Sequence, residues 1–193
     1  INGTNDQPDI TVEAGDSAAE TLTETDTTLS ASGTLSVEDL DITDLVSAAV
    51  ISVVESGDGT GVIGNATLLA MLTLGANPVV GGSSTTGTIN WTFNSGSEAF
   101  NHLAIGESQV LTFTVQASDD SGAASEPDSD TQTIVITING TNDQPDITVG
   151  AGDSAAETLT ETDATLSASG TLSVEDLDIT DIVSAVVISV AES

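Results

Sequence analysis

The stretch Ile1-Asn-Gly-Thr-Asn-Asp-Gln-Pro-Asp-Ile-Thr-Val12 occurs twice, returning 137 residues later as Ile138 to Val149. The identity then runs to the last residue. Of the 56 aligned pairs from Ile1/Ile138 to Ser56/Ser193, all but five are the same. The exceptions are Glu13/Gly150, Thr27/Ala164, Leu45/Ile182, Ala49/Val186 and Val54/Ala191, and only the first changes a charge. A long period kept with this fidelity marks a tandem array. The expected organisation is a linker at 1–9, a complete repeat at 10–137, a second linker at 138–146, and the opening of the next repeat at 147–193. On this reading the chain is a section of something longer. A repeat of this length can bury its own core, whereas the trailing copy by itself cannot.

Charge narrows what such an array can do. Lys and Arg are absent, Asp and Glu number 31, and the formal net charge is −31. Nucleic acid is excluded as a partner, because neutralising phosphates needs basic side chains; an anionic membrane surface is disfavoured by the same sign. With 38% hydrophobic residues the chain is not the composition of a disordered acidic tail. A fold this acidic repels itself, and no internal ion pair with Lys or Arg can relieve it. Countercharge must come from solution, and hard Ca²⁺, which takes carboxylate and carbonyl oxygens, is the expected ion. Cysteine is absent, so there are neither disulfides nor thiolate metal sites. No run of apolar residues is long enough to span a bilayer.

Period-two alternation places the strands. They are expected near 9–12, 28–37 (Leu29, Leu35 and Val37 inward), 48–54, 87–93 (Ile89, Trp91 and Phe93 on one face), 109–115 and 131–138, with a short one at 21–23. Ala66 to Leu74 lacks alternation and reads as a short helix capped near Asn65; 75–86 reads as a Gly/Ser loop, and 118–130 as an acidic one. About seven strands separated by turns predict an all-β, Greek-key sandwich of immunoglobulin type. The last strand runs straight into the second linker, which strings the repeats end to end.

Ile134-Val-Ile-Thr-Ile-Asn-Gly-Thr-Asn-Asp-Gln-Pro145 resembles the "VTITGTNDAP" junction of VCBS-type, cadherin-like repeats in giant bacterial adhesins. Thr23-Glu-Thr-Asp26, Gly33 to Asp41, Gly87 to Phe93, Leu103 to Glu107 and Thr114 to Gly122 fall where that family has its recurring patterns. The resemblance covers the whole chain and departs from the commonest pattern at 66–86. It implies stalk modules of RTX-type adhesins, exported by type I secretion to the cell surface and rigidified by Ca²⁺. The Gly-Gly-x-Gly-x-Asp nonapeptides of the RTX part itself are not in this sequence.

In an immunoglobulin topology Asp39 and Asp41, Asp119 and Asp120, and the linker pair Asn5 and Asp6 share the end where the chain enters. Oxygen donors gathered there suit a six-to-eight-coordinate Ca²⁺ site. By analogy with cadherins, Glu24 and Glu107 at the far end would meet Asn142, Asp143, Asp176 and Asp178 across the linker. Asp26, Asp44, Asp128 and Asp130 are read as solvated acids, and Gly150 opposite Glu13 weakens any obligatory role for that side chain. An EF-hand is rejected, since Asp39-x-Asp41 lacks the loop Gly and the closing Glu. One histidine, His102, and no Gly-x-Ser-x-Gly elbow leave a serine hydrolase without a basis. Three Phe and one Trp are a poor stock for a sugar cleft, and Trp91 is expected in the core. The expected function is therefore non-enzymatic: a Ca²⁺-stabilised spacer whose partners are its neighbouring repeats, with no small-molecule substrate. The alternative is a module that itself grips a carbohydrate or protein.

Overall fold

The computed structural model describes residues 3–122 and 128–192. Ile1 and Asn2 of the first linker, the middle of the acidic 118–130 loop, and Ser193 lie outside them. Strands β1 (Asp9–Thr11), β3 (Ser30–Glu38), β6 (Thr86–Asn94) and β5 (Leu72–Leu74) form one sheet in the order β1-β3-β6-β5. Strands β2 (Ala19–Thr23), β8 (Ser129–Asn139), β7 (Ser108–Ser118) and β4 (Ser47–Gly57) form the other, in the order β2-β8-β7-β4. This is the two-sheet arrangement of an immunoglobulin-like sandwich. All pairings are antiparallel except β2 with β8, which run parallel from Ala19↔Val135 to Thr23↔Asn139.

The alternation in the sequence is what closes the sandwich. In β7 every second residue, Gln109 to Ala117, is buried, and the residues between them face outward. Leu35, Ile89, Trp91, Phe93, Phe113, Ile134 and Ile136 fill the space between the sheets, where Phe93 and Phe113 meet edge to face across 6.3 Å. The Trp91 indole is core, as the sequence predicts, and its Nε1–H donates to the Ser17 carbonyl at 2.8 Å, so the one polar atom of a buried aromatic is satisfied. The ring lies flat over Gly33. A Cβ there would stand 2.6 Å from Trp91 Cζ2, so only glycine admits the indole.

Two local expectations are corrected. The helix α1 covers only Asn65–Ala70; its N-cap is Gly64, with no side-chain cap bond, rather than Asn65. Leu72–Leu74, read from sequence as helix, is the edge strand β5, because Asn94 and Gly75 N–H groups bond the Met71 and Asn90 carbonyls and seat the segment against β6. Among the described residues the first copy therefore has eight strands. The 75–86 loop, in which the Asn77–Pro78 bond is cis, is anchored by a bridge from Val46 to Val80 and by the Asn77 amide bonding Ala48 in both directions.

The second copy contributes a two-stranded ribbon, β9 (Asp146–Thr148) with β10 (Ser173–Glu175). Its register, Asp146↔Glu175 to Thr148↔Ser173, repeats that of Asp9↔Glu38 to Thr11↔Ser36. The other described residues of this copy carry no strand or helix. The first copy keeps its own β3 and β4 against β6 and β7.

Candidate functional site

The acidic side chains gather at the two ends of the sandwich. At the N-terminal end the loop after β3 meets the linker and the loop after β7. Asn5 Nδ2 donates to Asp119 Oδ2 at 3.1 Å, and the Asp6 N–H donates to Asp41 Oδ2 at 2.7 Å. The Asp41 N–H in turn donates to Asp39 Oδ1 at 2.9 Å. Asp39 is 1% exposed, and its second oxygen, Oδ2, is buried with no donor. Burial, followed by the charges of Asp119, Asp44 and Asp41, pushes the Asp39 carboxyl up from the usual carboxylate range. Asp120 sits beside the cluster but is used structurally, accepting from the Leu45 N–H at 2.9 Å. Thus Asn5, Asp6, Asp39, Asp41 and Asp119 are joined by direct bonds, and Asp44 lies within their field.

At the C-terminal end β8 runs directly into the linker, and Gly140 passes so close beneath the Leu103 and Ala104 carbonyls that a Cβ would lie 2.1 Å from the first. Thr141 is clasped by Glu24: its N–H donates to Glu24 Oε1 at 2.9 Å and its hydroxyl to the same oxygen. Glu24, 1% exposed, also accepts from the Asp26 N–H at 3.3 Å. From the second copy, the Asp143 N–H donates to Asp178 Oδ2 at 2.8 Å, and the Asp178 N–H to Asp176 Oδ1 at 3.1 Å. Asp178 is 2% exposed. The arrangement repeats, one period on and atom for atom, the bonds joining Asp6, Asp41 and Asp39. Leu177 and Phe100 to His102 line one shallow pocket between the copies.

Three acceptor oxygens at this junction are buried without a donor: Asp143 Oδ2, Asp178 Oδ1 and Asn101 Oδ1. Asn101 Nδ2 holds Asp26 Oδ1 at 2.9 Å, and Asp26 lies within hydrogen-bond reach of Asp143. Burial first, then the Asp26 contact and the charges of Asp26, Glu24 and Asp178, push the Asp143 carboxyl up to about 6. Asp178 is pushed up as well, by burial and then by the charges of Asp181, Asp176 and Glu24. Buried acceptors that crowd together and lack donors are costly unless a positive charge joins them. No group of three or more carboxylates and imidazoles stands ready at metal-holding geometry among the described residues. The donor set is mixed instead: carboxylates, one amide oxygen and the backbone of the linker, a chemistry that fits a flexible oxygen-seeking cation.

Of the expected far-end residues, Glu24, Asp143, Asp176 and Asp178 come together. Glu107 turns inward, capping its own turn through Oε2 to the Ala104 N–H at 3.0 Å, and touches the linker by its carbonyl, which accepts from Gly140. Asn142 points along the chain, donating to the Asp143 carbonyl. Sequence reading overlooked Asn101 and set Asp26 aside as solvated. The only non-glycine residues with positive φ among the described ones are Asp26 (55°) and Phe100 (68°), and both flank this junction. Such backbone is retained where surroundings enforce it. Asp130, read as solvated, accepts from the Ile10 N–H at 2.9 Å and ties β1 to β8; the Asp128 carbonyl accepts from Asp119.

No protein-family model matches the chain, and no curated protein sequence does. Among solved structures it is similar to the ASH/PapD-like domain 7 of human CEP192, at 15% identity and a TM-score of 0.37, covering 72% of this chain and 89% of that one. It is similar also to AggA, the major subunit of aggregative adherence fimbriae type I of Escherichia coli, at 11% identity and a TM-score of 0.37, covering 73% and 100%.

Proposed function

We propose that the chain is a Ca²⁺-stiffened extender: one complete repeat at 10–137, joined by the 138–146 linker to the next copy beginning at 147, in a bacterial cell-surface adhesin of the VCBS-type, cadherin-like kind. The observation that carries this reading is the donor-free set Asp143 Oδ2, Asp178 Oδ1 and Asn101 Oδ1, buried where two repeats meet in a chain with no Lys or Arg.

The mechanism is linkage. Without a cation, Glu24, Asp26, Asp143 and Asp178 repel one another, and the junction holds through Thr141, Gly140 and the backbone of Asp143. Asp26, Asn101, Asp143 and Asp178 would hold Ca²⁺, whose charge would offset that repulsion and tie the second copy to the first. The N-terminal set around Asp39 does the same toward a preceding repeat. Ion binding to the folded junction stabilises it by RT ln(1+[L]/Kd). Extracellular modules of this class bind at about 0.1–1 mM, so the rod is stiff outside the cell and slack in the low-Ca²⁺ cytosol, which favours type I export of an unfolded chain. The partners are neighbouring repeats, with no nucleic acid, no membrane insertion, no substrate and no enzymatic activity. The alternative, a module that grips sugar or protein, finds little support in the anchored 75–86 loop, which has no aromatic residue.

Melting the 193-residue chain with Ca²⁺ and with chelator, alongside small-angle scattering, tests the reading. A higher melting temperature and a longer maximum dimension in Ca²⁺ are expected. Identical melts and profiles in both conditions overturn it.

A further inference from the structure

The entry end of a repeat occurs twice in this chain, once with no copy ahead of it and once set against the first copy, so the same residues stand in both states. Most of the second copy is more exposed than the first, as Ile147 and Val174 are beside Ile10 and Val37. Three positions go the other way. Leu40 is 64% exposed and its counterpart Leu177 45%; Asp41 is half-buried and Asp178 is 2% exposed; Asp6 is exposed and Asp143 half-buried. Ile42 and Ile179, two residues beyond the leucine, stay exposed alike. The footprint of the first copy on the second is therefore the Asp-Leu-Asp tip and the linker beside it. Asp143 and Asp178 belong to the ion junction described above, whereas Leu177 has no part in it. Leu177 closes one side of the shallow hollow of Ser97 to His102. Two rings build that hollow, Phe100 and His102, with centroids 5.9 Å apart, and the Leu103 N–H holds their turn by bonding the Phe100 carbonyl.

We propose that this leucine is an apolar key by which one repeat docks on the end of the repeat before it: Leu177 sits in the hollow of Ser97 to His102, and Leu40 is the open key for the same hollow on a preceding copy. The contact presupposes repeats joined end to end, but it is apolar and needs no ion. Removing part of one leucine from water makes a weak contact. Its use is direction. Carboxylates around a flexible, oxygen-seeking cation accept several geometries, whereas a side chain seated to one side of the linker selects one rotation of the following repeat. Charge reinforces the choice. A copy turned so that Asp176 or Asp178 faced the hollow would set a carboxylate against Glu98, which lines it.

Methyl-labelled NMR of the full chain, in Ca²⁺ and in chelator, tests the key. Nuclear Overhauser contacts from the Leu177 methyls to the His102 ring are expected in both conditions, with none from the Leu40 methyls. Residual dipolar couplings should show the β9–β10 ribbon aligned with the first copy. In chelator, Leu177→Ala should weaken that docking equilibrium roughly fivefold, the size of losing a half-buried leucine. Ala99→Asp, which charges the hollow from its other side, should act likewise. Leu40→Ala, the same change at the end with no copy ahead, should leave the docking unchanged, and neither leucine belongs to the core. Absence of the Leu177–His102 contacts in both conditions overturns the proposal, as does equal loss of docking in the Leu177 and Leu40 variants. Contacts seen only in Ca²⁺ overturn it too, since the seat would then be the ion's. Contacts that persist while Ca²⁺ changes neither melt nor scattering profile support the key and sink the ion reading alone.

Discussion

Two copies of nearly one sequence lie in this chain, and they do not share one structure. Ile10 and Val37 are 4% and 2% exposed, whereas their counterparts Ile147 and Val174 are 59% and 52% exposed. Val53 is core in β4, while Val190, the same residue one period on, is 89% exposed. What survives in both copies is short-range. The three-residue pairing of β1 with β3 recurs in β9 with β10, and Asp16 and Asp153 each accept two hydroxyls at 2.6–2.8 Å. What is lost needs partners far along the chain. β3 is held by β6 and β4 by β7, and residues 147–192 hold no equivalent of either. Sequence alone therefore sets which face of a strand is apolar; burial is granted by the strands it meets.

The comparison breaks most sharply in the core. Leu35→Ala should cost about 2–5 kcal/mol, while Leu172→Ala should stay within about 0.5 kcal/mol; paired urea melts measure both. If the two costs match, the copies are more alike in solution than their burial indicates. Calcium comes next. Free ion at roughly 10–100 times Kd should stabilise by about 1.4–2.7 kcal/mol. In calorimetric titration Asp178→Ala should remove the junction's share of sites and leave those around Asp39, with Asp39→Ala doing the reverse.

Acid should affect the copies alike through their shared clamp. The Thr171 and Ser173 hydroxyls, then the Gly150 N–H, hold the Asp153 carboxyl down at about 2; the Thr34 hydroxyl, the Glu13 N–H and Ser36 lower Asp16. A lowered folded pKa means that stability is present above the unfolded value near 3.8 and is lost as pH falls through the folded one. Carboxyl-carbon NMR titration should show Asp153 still ionised at pH 3.5 and Asp16 titrating below the usual carboxylate range, and Asp153→Asn should abolish the acid-sensitive step of the β9–β10 ribbon. The smallest effect is expected at the one charge-changing position. Glu13 and Gly150 reach the clamp through their backbone N–H and carbonyl groups, so Glu13→Gly should change the stability read from urea melts by no more than about 0.5 kcal/mol.

The alternation at Ile89, Trp91 and Phe93, and along β7 and β8, makes the sandwich legible in the sequence. β5 was not legible, since three residues following a helical turn carry no period and become a strand only because β6 offers an edge. The site divides the same way. Asp39, Asp41, Asp119 and the linker Asn-Asp pairs stand in runs of turn-forming acids whose place in the topology could be inferred. Asn101 sits in a loop with no charge pattern, and it reaches Asp26 across 75 residues from beside Phe100, whose backbone is left-handed. Glu107 looks like a ligand by position, but the nearest backbone N–H, that of Ala104, claims it.

The parallel pairing of β2 with β8 bears on what happens when the chain is pulled. Tension enters beside β1 and β2 and leaves through Asn139, at the end of β8. Because the two strands point the same way, that force slides one along the other, and the rungs from Ala19↔Val135 to Thr23↔Asn139 are loaded together instead of opening one by one. A module wired in this manner resists stretching by shear, with a latch of parallel rungs set directly in the line of force.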